Sequence, residues 1–111
     1  MMLKINKVMA GLLISGVLAG FSGSALALDG GALYANPTKG GCAACHGKDA
    51  KTPILPMYPK LAGQNADYAY NQIKDIQSGA RSNGQSIAMK GILHMTTDEE
   101  KRAIAEWLAT Q

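Results

Sequence analysis

The hexapeptide CAACHG, Cys42 to Gly47, holds both cysteines of the chain and one of its two histidines. Two thiols spaced by two residues and followed at once by an imidazole admit three chemistries: a zinc ligand set, a dithiol couple, or covalent attachment of a haem. A redox dithiol of the thioredoxin kind sits within a βαβ pattern. Here β-branched or aromatic residues nowhere alternate over a useful length, so strand signals are missing. A closed zinc site needs four ligands. Cys42, Cys45, His46 and the distant His94 make up that number, but the adjacent Cys45 and His46 converge poorly on one ion. A disulfide across two residues closes a tiny loop and restrains the unfolded chain very little. Haem attachment suits the spacing. Two thiols one helical turn apart can each add to a vinyl group on one side of a porphyrin, and the following histidine is carried under the ring.

Export fits the same chemistry, because this attachment is made outside the cytoplasm in bacteria. Lys4 and Lys7 precede an apolar run from Val8 to Phe21, and Ala25-Leu26-Ala27 offers small residues where a signal peptidase reads. The run is shorter than the roughly 20 residues that span a bilayer. Cleavage is expected after Ala27, leaving residues 28–111 as one domain in the periplasm with no membrane span. The 111 residues less 27 leave 84, with nine basic side chains against eight acidic, a net charge of +1. Nucleic acid is not indicated. A chain this short buries only roughly 60% of its unfolded surface and needs a staple.

Three helices are legible. Asp29 to Asn36 reads as a short helix capped by Asp29 and stopped by Pro37. Asn65 caps a second running to Ser78, with Tyr68, Ala69, Gln72, Ile73 and Ile76 on one face and Gly79 at its end. The third opens at Thr97, whose pairing with Glu100 is a capping box, followed by an apolar face of Ala103, Ile104, Trp107 and Leu108. Between them Gly47 to Gly63 and Gly79 to Met95 carry no periodicity. Loops this long in so small a domain wrap something. The expectation is an all-α fold: three or more short helices and wrapping loops around one covalent haem, which supplies the missing apolar core.

From about Leu28 to Gln111 the chain resembles a small class I cytochrome c. The stretch YPKLAGQNADYAYNQIKDIQSG, Tyr58 to Gly79, is especially similar to one haem domain of the periplasmic di-haem cytochromes of the c-four group, although only one attachment motif is present. The resemblance implies one haem c, with its iron, bound through Cys42 and Cys45 and held by His46. It places the second iron ligand on the loop before the last helix, where Met89 lies eight residues ahead of Thr97. Met57 follows His46 too closely to reach the other face. Met95 is better placed to pack under the helix start, and His94 would make a bis-histidine haem of lower potential. Pro59 and Leu61 match the family's Pro-x-Leu segment, whose proline carbonyl takes the free N–H of the ligating imidazole and whose leucine lies on the haem. Tyr68 and Arg81 match positions near the haem edge, where either can hydrogen-bond a propionate. Trp107 and Ile104 are expected to cross the first helix near Gly30 or Gly31 and Tyr34.

The implied activity is one-electron transport by a monomeric carrier, not an enzyme, since both axial positions of the iron are filled. A haem subunit of a larger periplasmic dehydrogenase or oxidase is the other reading, and its mark would be an apolar patch, of which the sequence shows no obvious sign. Lys39, Lys48, Lys51, Lys60 and Lys90 outnumber Asp49 around the motif and the proposed ligand, a rim suited to redox partners acidic at their docking face.

Overall fold

A computed structural model of the chain describes residues 27–111. The expected signal, apart from Ala27, lies outside the described residues. Among the described residues there are five α-helices, two 3₁₀ turns and no strand. In chain order the helices are α1 (Gly30–Ala35), α2 (Cys42–His46), α3 (Ala66–Ser78), α4 (Ser86–Lys90) and α5 (Asp98–Ala109); the 3₁₀ turns are Pro37–Lys39 and Leu93–Met95. The described residues are thus all-α, as expected from the sequence.

Helix ends fall where the side chains dictate. Asp29 Oδ1 accepts from the Ala32 amide at 3.0 Å, and Asn65 Oδ1 from the Tyr68 amide at 2.9 Å. These satisfy amides that have no partner in a first turn. The box at α5 is complete: the Glu100 amide donates to Thr97 Oγ1 at 3.1 Å, and the Thr97 amide to Glu100 Oε1 at 2.9 Å. Gly79 closes α3, its amide bonding to the carbonyls of Asp75 and Ile76.

α5 packs against both α1 and α3. The α1 contact requires glycine, because a Cβ at Gly30 would lie 2.7 Å from Trp107 Cβ. With that space free, the Tyr34 and Trp107 rings meet at a centroid distance of 5.0 Å. Tyr34, Ala50, Ile104 and Leu108 form the buried core. With Ala69, Ile76, Leu93 and Ala105 the buried apolar residues number eight, three of them alanines, which is few for a domain of this length. On the outer side α3 and α5 are clipped together by charge: Asp98 accepts from Tyr70 Oη at 2.7 Å and Lys74 Nζ at 2.8 Å, and Arg102 pairs with Asp67 at 2.7 Å.

Two details depart from the sequence reading. The stretch from Gly79 to Met95 is not plain loop, since it contains α4 and the Leu93–Met95 turn. The α5 face also includes a lysine. Lys101 is 3% exposed, and its ammonium donates to the Thr96 carbonyl at 2.6 Å. Burial holds its pKa below the usual lysine value. A lysine in the run DEEKR reads as solvent-facing, but its long stem reaches back one turn to a carbonyl just ahead of the helix.

Candidate cofactor site

Between α2, α3, α4 and α5 lies a cavity of about 660 Å³. That is within the range of cofactor pockets, about 300–1,000 Å³. Tyr34, Ile73, Ile76, Leu93, Ile104 and Leu108 give it apolar walls. The α3 face read from the sequence is the face that lines it: Tyr68, Ala69, Gln72, Ile73 and Ile76 all border the cavity.

Cys42, Cys45 and His46 stand in α2 on one wall. The short helix begins after Gly41 and is stopped at Gly47, which has φ 91°. A side chain at Gly47 would be strained at that angle and would run into the Thr52 carbonyl. Cys42 is partly buried and Cys45 exposed. Burial pushes the Cys42 thiol above its ordinary value. His46 is buried, and its Nδ1 lies 2.9 Å from the Pro59 carbonyl oxygen. With Nδ1 as the donor, Nε2 keeps its lone pair for a metal, the usual arrangement of a ligating imidazole.

The segment that brings Pro59 into place is tied down by backbone bonds. The Ile54 amide donates to Cys45 O at 3.0 Å, the Leu61 and Ala62 amides to Ala50 O at 2.9 and 3.0 Å, and the Gly63 amide to Leu108 O at 2.9 Å. Leu61 borders the cavity and packs on the core. Tyr34 donates its hydroxyl to Gly47 O at 2.5 Å. Its pKa is pushed up to about 12, by burial first and then by Cys42 and Asp49, so it stays a donor at any ordinary pH.

Across the cavity the sequence-predicted residues divide. Met89 borders it from α4, and Met57 from the segment that holds Pro59. Met95 and His94 do not border it, and Met95 is 42% exposed rather than packed under α5. Arg81 borders it too, with Nη1 donating to Gln72 Oε1 at 3.0 Å and Nε to Asn83 Oδ1 at 3.2 Å. Gln72 and Asn83 were not read as site residues. The Gln72 signal was available, since it falls on the cavity face of α3; nothing local marks Asn83. Of the five lysines read as a basic rim, Lys39 is withdrawn, because it is ion-paired with Glu100 at 3.0 Å. Lys48, Lys51, Lys60 and Lys90 are exposed.

A pocket of this size and apolarity, with two cysteines and a histidine on one wall, fits a haem. Comparison with known proteins points the same way. The cytochrome c family model matches residues 27–111. The chain is 42% identical over 88 residues to a thiosulfate dehydrogenase electron acceptor of Stutzerimonas stutzeri, covering 76% of this chain and 39% of that protein. It is 35% identical over 107 residues to a cytochrome c4 of Pseudomonas aeruginosa, covering 96% of this chain and 49% of the relative. The crystal structure of reduced recombinant cytochrome c4 from Pseudomonas stutzeri superposes with a TM-score of 0.63 at 27% identity, over 72% of this chain and 45% of that one. The chain thus spans half or less of the length of these relatives. It belongs to the cytochrome c family, is related to the c4 group, and holds one covalently bound, iron-containing haem c.

Proposed function

We propose that the protein is a periplasmic one-electron carrier whose haem is bound through thioethers to Cys42 and Cys45, with His46 and Met89 as axial ligands. The haem supplies one-electron exchange between ferrous and ferric iron, at a potential that a thioether ligand raises relative to a second nitrogen. The observation that carries the ligand reading is selective. Of the methionines at 57, 89 and 95, only Met89 both borders the cavity and stands outside the segment that bonds to His46. Pro59 O orients the imidazole and Leu61 covers the ring. Arg81 and Tyr68 supply donors for the propionates. With both axial positions filled there is no open site for substrate, and the protein is no enzyme. Residues 28–111 form the mature domain after cleavage behind Ala27. No described helix is long and apolar enough to cross a membrane.

The partner reading rests on the surface beside Cys45. Ile54 is 62% and Leu55 40% exposed, two neighbouring apolar side chains next to Cys45, whose carbonyl accepts the Ile54 amide. Lys48, Lys51 and Lys60 stand on the same segment. The carboxylate of Asp49 is turned to the amides of Lys51 and Thr52, at 2.8 and 3.0 Å. An acidic redox protein with an apolar centre suits this face. The relative named as an electron acceptor for thiosulfate dehydrogenase makes a dehydrogenase a fitting donor, and the same relative fits the second reading, a haem subunit of a dehydrogenase or oxidase complex.

One spectrum tests the main reading. A pyridine haemochrome of the c type, with the far-red methionine–iron band in the oxidised protein, is the expected result. A wild-type protein without that band, whose ferrous form binds carbon monoxide readily, overturns it. Native purification separates the two partner readings: a carrier elutes as a monomer, and a subunit brings a stoichiometric partner.

A further inference from the structure

Resting on His46 as an iron ligand, we infer that the Tyr34 hydroxyl is a positioning group for that ligand and sets the strength of its bond to Pro59. A tyrosine packed in a helix contact needs only its ring. This one is 1% exposed, and the ring lies against Trp107. Its hydroxyl does something separate: it donates to Gly47 O at 2.5 Å, the carbonyl immediately after His46. The same oxygen accepts the Ala50 amide at 3.1 Å, and Ala50 O in turn accepts from Leu61 and Ala62. Pro59, two residues before Leu61, offers its carbonyl to His46 Nδ1 at 2.9 Å.

These bonds close a ring that starts and ends at His46. Going one way, His46 leads along the chain through Gly47 and Ala50 to the Leu61 amide. Going the other, its own side chain reaches Pro59. Among the described residues the Tyr34 hydroxyl is the one side-chain bond from another helix into that ring. Ala50 shows how tightly the ring is drawn, since it is fully buried and holds φ 60°, a left-handed conformation disfavoured for any residue with a Cβ. Tyr34 therefore anchors to α1 and α5 the loop on which the acceptor for the ligating imidazole is carried. A firmly held acceptor strengthens donation from Nδ1 and makes the imidazole a better electron donor, which favours ferric iron.

Tyr34→Phe in the intact haem protein tests this, because it keeps the ring and removes only the O–H. The His46 Nδ1 proton of the reduced protein should exchange about tenfold faster, the factor that losing one ordinary hydrogen bond allows, and the reduction potential should rise. Trp107→Phe is the control: it loosens the packing and keeps the hydroxyl, so it should lower stability with the potential unchanged. If Tyr34→Phe lowers stability while Nδ1–H exchange and potential match wild type, the hydroxyl is structural only and the proposal fails. Should that variant not retain haem, the wild type decides. Its Tyr34 hydroxyl proton should differ in protection between oxidised and reduced forms, and equal protection overturns the proposal. A wild type lacking a histidine-ligated haem would instead sink the ligand reading on which it rests.

Discussion

The two covers of the cavity are built differently. Residues 47–63, beside His46, contain no helix, yet their backbone bonds reach α2 through Cys45 and α5 through Leu108. Residues 79–95, beside Met89, are the more regular of the two, with α4 and a 3₁₀ turn. Their backbone bonds stay within the segment, as Ser86 to Asn83, Gly91 to Ile87 and Ile92 to Met89, or reach no further than Asp75 and Ile76 at the end of α3 and Thr96 just past the segment. Regular structure and anchorage are therefore opposed here. The side without a helix is stitched into the fold, and the side with one leans on what fills the cavity. On the proposed ligation, a histidine held by these bonds would stand opposite a methionine whose place depends on its bond to iron.

The largest effect should come from removing what both covers enclose. Cys42→Ala with Cys45→Ala is expected to abolish covalent haem stain on denaturing gels. It should also leave a chain without a cooperative thermal transition, since eight buried apolar residues, three of them alanines, cannot make a core around an empty 660 Å³. A sharp melting curve from the haem-free variant would show that the covers stand alone.

Next is Met89→Ala, which should erase the far-red band, lower the potential and let ferrous protein bind carbon monoxide. Hydrogen exchange should quicken from Gly84 to Leu93 and stay unchanged at Leu61 to Gly63. Met57→Ala should preserve the band. Band loss in Met95→Ala with Met89→Ala intact would move the ligand and keep the carrier.

How much of this was legible follows from where the signals are local. Asp29, Asn65, Thr97 and Gly79 set helix ends within four residues of themselves, so sequence alone placed α1, α3 and α5. The motif and the α3 face were read the same way, from fixed short spacings. What escaped depends on partners far along the chain. Lys39 meets Glu100 across 61 positions, and Tyr34 meets Gly47 across 13. Five residues of α4 are too few to display a helical period, and Lys101 is buried because a carbonyl happens to lie within reach of its ammonium.

A smaller effect belongs to the joint between the distal cover and α5. Thr97→Ala should cost about 1 kcal/mol in chemical denaturation, the usual loss of a helix cap, with the spectrum unchanged. If the far-red band weakens as well, the distal cover is tied to α5 more firmly than its hydrogen bonds indicate.

The smallest is a pH effect at Glu100. Its carboxyl is held below the ordinary value of about 4.5, first by the Thr97 amide and then by Lys39. A lowered folded value adds stability that is complete above the unfolded pKa and is lost as pH falls through the folded one. Glu100→Gln should therefore flatten part of the stability slope on the acid side of pH 4.5. An identical acid slope in the variant would show that the carboxylate contributes nothing there.

The order of the elements along the chain has a consequence for assembly in time. Cys42–His46 follows directly on α1 near the start of the described residues, and part of the wall across the cavity from it, Ile104 and Leu108, lies in α5 at their end. Synthesis runs from the N-terminus at about 5–20 residues per second, so the motif exists for several seconds before the helix that completes its pocket. On the periplasmic reading, attachment after export likewise meets a chain that still lacks its haem, so CAACH must be recognised by its residues and not by the shape of a cavity. The fold then closes over the result, with α5 arriving as the final wall and Lys39 and Glu100 joining its start to the segment just ahead of the motif.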